Sequence, residues 1–538
     1  MMHEREKSDL CEVASKPANN PGQPGAESVE RRQGAEGNAV EPRTHRTLSR
    51  ASVSQRLDRV REVAKARKKE RFTALLHHVN VELLRAAYSW LKRDAAPGVD
   101  QLTWKQYGRD LEANIVDLHA RVHRGAYRAL PSRRHYIAKA DGRQRPLGIA
   151  ALEDKIVQRA LVEVLNAIYE GDFLGFSYGF RPGRGQHDCL DALAVGITRT
   201  KVNWILDADI GSFFDSLSHS WLVRFVEHRI GDPRVLRLIG KWLNAGVMED
   251  GVVKPTKAGT PQGAVVSPLL ANIYLHYVFD LWAKRWRERH AHGQVILVRY
   301  ADDIIAGFEY EAEAKRFMAE LRARMEQFAL TLHPDKTRLI EFGRYAAVRR
   351  ARRGLDKPET FNFLGFTHIC GRSQYGTYQL QRKSRRDRMR ATLREIKEEL
   401  RRRRHDSIAE QGQWLRQVVR GYFHYHAVPT NTKSLCAFRY HVTALWRRAL
   451  RRRSQTDRTT WARALRLAAH YLPAPRLLHP WPDVRFAVTH LRWEPGARIA
   501  PAGIYAGVPS NGHPYRDAPP LQIVKSCRCR NPSHALDT

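Results

Sequence analysis

Acidic residues are scarce in this chain relative to basic ones. Its 538 residues carry 92 Lys and Arg against 56 Asp and Glu, a formal charge of +36. A like-charge excess of that size calls for a polyanionic partner, which puts nucleic acid ahead of a membrane or an acidic protein. Cysteine is scarce too. The six, at positions 11, 189, 370, 436, 527 and 529, form no CxxC pair, which excludes a disulfide framework and a zinc knuckle and fits a reducing cytoplasm. No apolar run approaches the roughly 18–20 residues needed to span a bilayer, so no membrane partner is expected. The N-terminus lacks the apolar core of a signal peptide. The Gly/Pro-rich loop at 259–268 is not followed by GK[ST], which excludes a Walker phosphate loop. No internal repeat is evident.

What is present centres on residues 295–308. Two apolar runs rich in β-branched residues flank the polar centre Ala301-Asp302-Asp303, the pattern of a buried β-hairpin with its turn there. Adjacent carboxylates at the tip of buried strands are costly unless something positive sits on them. A divalent ion is the usual answer, and paired carboxylates suit Mg²⁺. A solvated turn is the other reading of the same residues.

The flanking chain supplies further candidates. Residues 1–50 are rich in Gly, Pro, Asn, Glu and Arg and read as a disordered tail. Helical spacing runs from Val53 to Trp90, with Lys65, Arg67, Lys68, Lys69 and Arg71 as a basic face open to solvent or nucleic acid. Another helix is expected over 111–122. Residues 133–149 read as a basic β-hairpin turning at Asp141-Gly142, whose cations could clamp a triphosphate or stay solvated. After a helix at 156–168, Arg181 and Arg184 sit between Gly and Pro beside aromatics, which suits a loop on a nucleic-acid backbone or an aromatic-anchored turn.

A strand at 204–210 carries Asp207 and Asp209 and runs into Gly211-Ser212-Phe213-Phe214-Asp215. If it neighbours the 295–308 hairpin in one sheet, a carboxylate here joins Asp302 and Asp303. Three converging carboxylates can hold two divalent ions about 3.5–4 Å apart for phosphoryl transfer. Alternation puts Asp207 and Asp209 on the same face and does not choose between them. The 259–268 loop offers Gln262, both donor and acceptor, ahead of a helix at 269–285. A helix at 312–329 and strands at 338–342 and 361–366 follow. Past residue 380, Arg382, Lys383, Arg385, Arg386, Arg388 and Arg390 open a long helix, and Trp414, Tyr422, Phe423, Tyr425 and Trp446 interleave with arginines. Such helical surfaces suit structured RNA. His424 and His426 lack helical metal spacing and read as packing or polar contacts. Residues 509–538 read as disordered.

Taken together, these stretches resemble the reverse transcriptases encoded by bacterial group II introns. The matching pieces, in order, are 95–100, 137–149, 176–184, 207–215, 259–275, Tyr300-Ala301-Asp302-Asp303 and 363–366. The resemblance implies that Asp209, Asp302 and Asp303 are the catalytic, metal-binding carboxylates for two Mg²⁺ ions, with the Ile210 backbone as a further ligand. Asp209 is preferred to Asp207 because in the family the acid directly precedes the Ile and the double Phe. Phe214 would exclude a ribose 2′-hydroxyl, Lys139 and Arg145 would hold the triphosphate, and Gln262 would line the nucleotide pocket.

The implied fold is α+β, a right-hand polymerase with fingers and an antiparallel palm sheet, followed by an α-helical thumb or maturase domain. The expected order is a tail at 1–50, N-terminal extension and fingers at 51–206, palm at 207–372, thumb and maturase at 373–480, and a C-terminal tail at 481–538. That tail has only Cys527 and Cys529 and no suitable His/Asn arrangement, so the family's HNH endonuclease is not expected. Insertion would then need another primer, such as a nascent strand. Ala138 stands where the family often has Pro. The implied function is RNA-directed DNA synthesis with splicing and mobility of the intron, on intron RNA, a DNA target or primer and dNTPs, in a cytoplasmic ribonucleoprotein. The alternatives are an RNA-binding splicing cofactor with an unused polymerase site and a domesticated reverse transcriptase in phage defence.

Overall fold

A computed structural model of the chain describes residues 55, 57–138, 144–256, 258–453 and 459–489. The expectations for the 1–50 tail, for Lys139 and for 509–538 lie outside them. The chain divides after Glu359 into two compact units.

The strands of the first unit are β1 (Ser132–Ala138), β2 (Gln144–Ile149), β3 (Trp204–Ala208), β4 (Val247–Glu249), β5 (Val252–Lys254), β6 (Val295–Tyr300), β7 (Asp303–Phe308) and β8 (Arg338–Glu341). They form two sheets, of order β2-β1-β4-β5 and β6-β7-β3-β8. The second sheet is antiparallel throughout. Its strands β6 and β7 are almost wholly buried, which is why their sequences are near-continuous Val, Ile and Leu. Trp286, Phe308 and Phe317 interlock where helices Leu281–His290 and Glu311–Gln327 cover it. Helix Leu152–Asp172 is buried nearly all round and runs through the core.

Two expected helices are interrupted. The 53–90 pattern breaks at Phe72, which bridges to Ile230, and the chain then makes one tight turn, Leu76–His78, before helix Val81–Trp90. The buried Asp232 carboxylate accepts from the Leu75 and Leu76 N–H groups (2.8 and 3.0 Å), so a distant side chain satisfies backbone that a continuous helix would have used. The 269–285 helix is Ser267–Leu275, then a single π-helical stretch His276–Asp280, then Leu281–His290. Such insertions recur at functional positions; this one presents Asp280.

The second unit opens on a three-stranded antiparallel sheet, β9 (Phe361–Phe363), β10 (Phe366–Arg372) and β11 (Tyr378–Ser384), of order β11-β10-β9. The single strand expected at 361–366 is therefore a hairpin. Leu364 and Gly365 both have positive φ (44° and 79°), as a two-residue hairpin turn requires; a Leu there is rare, which hid the turn. Arg382 and Lys383 lie in β11 rather than in a helix, which begins at Arg386. Helices Arg386–Arg402, Ile408–His426, Thr432–Arg451 and Trp461–Tyr471 share a core that includes Ile396, Leu415, Phe423, Phe438 and Trp446. The sheet is bonded to this bundle, since the Asn431 side chain accepts from the Ser384 N–H (3.0 Å) and the Tyr425 hydroxyl donates to the Leu364 carbonyl (2.7 Å). That is why the chain divides upstream of the 372/373 boundary expected from the sequence. His426 stacks on Tyr422, and the His424 ring nitrogen accepts from Arg420 Nε (3.4 Å), one a packing and the other a polar contact. Among the described residues no helix is long and apolar enough to cross a membrane.

Candidate active site

The last pair of the β6–β7 ladder is Tyr300↔Asp303, which leaves Ala301 and Asp302 as a two-residue tip. Ala301 takes the left-handed conformation (φ 55°) that such a tip demands. β7 pairs in turn with β3, ending at Ala208↔Ile304. Asp209 is the next residue, just past the end of that ladder, at the same end of the sheet as Asp303. The two strands are thus antiparallel neighbours in one sheet, as the three-carboxylate reading requires. Asp207 pairs instead with Ile305 and Arg338, deeper in the sheet. The register thus separates two acids that alternation could not.

Asp209 is held from its far side by the segment before β8. Lys336 Nζ donates to its carboxylate (2.8 Å), the His333 N–H donates to its carbonyl (2.8 Å), and Ile210 bridges to Leu332. As the side chains stand, no three His, Cys, Asp or Glu among the described residues close on one point where an ion could sit. The donor chemistry nevertheless suits a hard divalent cation: carboxylate oxygens only, with one of them already carrying an ammonium.

The hairpin tip is clamped by Arg299, which is 0 % exposed. All five of its N–H donors are used. Nε and Nη2 form a two-pronged pair with Asp280, itself 0 % exposed (2.7 and 2.6 Å); Nη1 reaches Asn272 Oδ1 (3.0 Å) and the Ala301 carbonyl (2.9 Å); Nη2 reaches Ser177 Oγ (2.6 Å). Backbone bonds from Tyr178 N–H to Arg299 O and from Arg299 N–H to Phe176 O stitch the 176–179 loop to the end of β6. Gly179 completes the contact, because a Cβ there would lie 2.2 Å from the Ala301 backbone nitrogen. Arg181 bonds Glu170 and the Leu174 and Ser177 carbonyls, while Arg184 lies over the Tyr178 ring with one bond to the Gly175 carbonyl, which anchors the turn on its aromatics.

The described nucleotide candidates Arg145, Phe214 and Gln262 lie on three segments joined by backbone hydrogen bonds. Phe214 sits in the short helix Phe213–Ser216, entered through Ser212 in the left-handed region, with its ring edge-on to Phe213 (5.4 Å) and Phe180 (6.5 Å). The Phe214 carbonyl accepts from the Thr260 N–H (2.8 Å), and Gly259 lies so close that a Cβ would be 2.8 Å from the Phe214 and Asp215 carbonyl oxygens. Gln262 Nε2 donates to Asp215 (3.4 Å), and the Gln262 carbonyl accepts from the Gly148 N–H at the end of β2 (2.7 Å). Arg145, opposite Ile137, is on that same strand. Lys139 is outside the described residues. Arg299, Asp280, Asn272, Ser177 and Lys336 were not among the residues expected from the sequence. An arginine inside an otherwise apolar strand was the available signal for the first.

An acid-tipped hairpin, a neighbouring strand with a third acid and a Gly/Gln loop against an aromatic pair are polymerase features, and the comparisons agree. Residues 137–368 match the family described as reverse transcriptase (RNA-dependent DNA polymerase). Protein YkfC of Escherichia coli (strain K12) is 34 % identical over 315 residues, 52 % of this chain and 77 % of that protein. The group II intron-encoded protein LtrA of Lactococcus lactis subsp. cremoris is 34 % identical over 236 residues, 41 % of this chain but only 39 % of LtrA. Nuclear intron maturase 2, mitochondrial, of Arabidopsis thaliana is 25 % identical over 233 residues, 36 % of this chain and 30 % of that one. The chain belongs to the reverse transcriptases, with their fingers and palm. Within that class it is similar to proteins named as group II intron-encoded and as intron maturases.

Proposed function

We propose that this chain copies RNA into DNA at the Asp209–Asp302–Asp303 site and also binds intron RNA to promote its splicing and its insertion into a DNA target. The register that brings Asp209 beside the Asp302–Asp303 tip is the observation that carries the polymerase reading. Asp209, Asp302 and Asp303 would hold two Mg²⁺ ions, with the Ile210 carbonyl as a further ligand; when bound, they supply positive charge for the attacking hydroxyl and the departing pyrophosphate.

The reaction is attack of a primer 3′-hydroxyl on the α-phosphate of a dNTP. Breaking the α–β bond releases pyrophosphate, and the hydroxyl proton is lost to water or a phosphate oxygen. Positioning does most of the work. Lys139 and Arg145 grip the triphosphate. Gln262, tied to β2 and Asp215, sets the nucleotide against the palm. The Phe214 ring fills the space that a 2′-hydroxyl would need. Lys336, bonded to the Asp209 carboxylate, holds that side chain in place at the end of β3. The Arg-rich second unit serves as thumb and maturase surface, and the ribonucleoprotein works in the cytoplasm. The relatives named LtrA and intron maturase support the RNA partner.

Asp302→Ala should abolish primer extension on an RNA template while leaving RNA binding intact; extension by the variant would refute the metal assignment. A second reading, a splicing cofactor whose polymerase site is idle, draws on the Lys336–Asp209 pair. Splicing at low Mg²⁺ by the triple Asp→Ala variant separates the two roles.

A further inference from the structure

We propose that a basic cleft between the end of helix Leu111–His123 and helix Pro233–Asn244 is a binding site for backbone phosphates of nucleic acid, apart from the polymerase centre. The inference needs nucleic acid as the partner; it does not need the metal assignment.

The cleft has a volume of about 100 Å³, several times the roughly 10–15 Å³ that one water requires. Arg124, Arg234, Arg237 and Lys241 line it, with His123 at its side. Arg234, Arg237 and Lys241 follow one another at three- and four-residue steps and so share a helix face, while Val235, Ile239 and Trp242 bury the other. The floor is rigid. Lys241 donates to the Gly125 (3.1 Å) and Tyr127 carbonyls, the Trp242 indole donates to the Tyr127 hydroxyl (2.9 Å), and that hydroxyl bonds the buried Asp154.

Capping a helix end accounts for Lys241 but not for the rest. Asp232, the carboxylate that caps the same helix, already serves the N–H groups of Leu75, Leu76 and Arg234, and the Arg234 Nε stands 3.4 Å from it. Arg124 and Arg237 make no side-chain hydrogen bond or ion pair with any described residue. Like charges gathered on a rigid concave surface repel. Phosphate oxygens offset that repulsion, and guanidinium forks match them in pairs. Successive phosphates of one strand could engage Arg124 on one wall and Arg237 on the other.

The test uses the full chain with Arg124→Gln and Arg237→Gln together, two exposed side chains whose loss leaves no buried partner. Affinity is measured for a short RNA template–DNA primer duplex and for a long folded RNA transcript, across roughly 50–200 mM KCl. Expected are a salt slope shallower by about 1–2 and an affinity at least about tenfold lower at the low-salt end, for one probe or both. Extension at saturating duplex should be unchanged. Loss confined to the duplex puts the template strand in the cleft, and loss confined to the transcript puts folded RNA there. Unchanged slopes for both probes would overturn the proposal. So would an equal loss in the charge-retaining Arg124→Lys/Arg237→Lys variant, since that would mark a structural defect rather than lost phosphate contacts.

Discussion

Arg299→Met strips the counter-charge from a carboxylate that water cannot reach. Asp280 and Arg299 are both fully buried, and their two-pronged pair is supplemented by bonds to Asn272, Ser177 and the Ala301 carbonyl. Removing one partner of such a pair costs about 3–5 kcal/mol, because the remaining charge is left uncompensated. Replacing both partners by apolar residues of similar volume is often close to neutral. The two consequences of Arg299 can therefore be parted. Arg299→Met should lower stability by that amount and abolish extension. Arg299→Met with Asp280→Leu should recover most of the stability, but it still lacks the clamp on the Ala301 carbonyl, so the catalytic tip stays loose. A misplacement of about 1 Å at reacting groups costs on the order of 100-fold in rate. Urea unfolding and single-turnover primer extension on an RNA template, over a range of Mg²⁺ concentrations, measure the two effects. Recovery of rate along with stability in the double variant, or an Arg299→Met cost below about 1 kcal/mol, would refute a clamping role for Arg299.

Three further outcomes are expected. Gly179→Ala should cut extension roughly 100-fold, since its Cβ meets the Ala301 backbone at 2.2 Å, whereas Gly175→Ala, whose Cβ meets nothing within 4 Å, should be neutral in the same assay. Phe214→Ala should raise incorporation of ribonucleotides relative to deoxyribonucleotides by roughly 10- to 100-fold in single-nucleotide extension, the usual range for a steric pocket. Burial holds His368 down at about 3 and His426 at about 4, so the unfolded chain binds protons there before the folded one does. Their contribution to stability is complete above the unfolded value near 6.5 and is lost as pH falls toward 4, about 2 kcal/mol per histidine between pH 7.5 and 5. Melting curves across that window should show it, and His426→Phe should flatten them.

Much of the site was legible from residue pattern because buried strands leave a strong mark. The apolar runs on either side of Asp302 and Asp303 announced β6 and β7 to within a residue, since a strand covered on both faces must be continuously Val, Ile and Leu. The basic hairpin and the Gly/Pro loop were legible for the same kind of local reason. Arg181 and Arg184 show the limit. Their composition suited a nucleic-acid contact, yet both turn inward to carbonyls and a carboxylate that local pattern could not bring near them.

By itself, the amino-acid order determined the basic charge, the acid-tipped hairpin and the helices that follow residue 386. These depend on neighbours a few positions apart, where spacing and propensity act directly. Tertiary structure alone decided that Asp207 pairs with Ile305 inside the sheet while Asp209 lies just past the ladder's end, that Arg299 holds the tip through residues 19 to 122 positions away, and that Lys336 sits on Asp209. Pairing register and buried charge compensation join residues far apart in the chain. Nothing in the local order of either partner names the other.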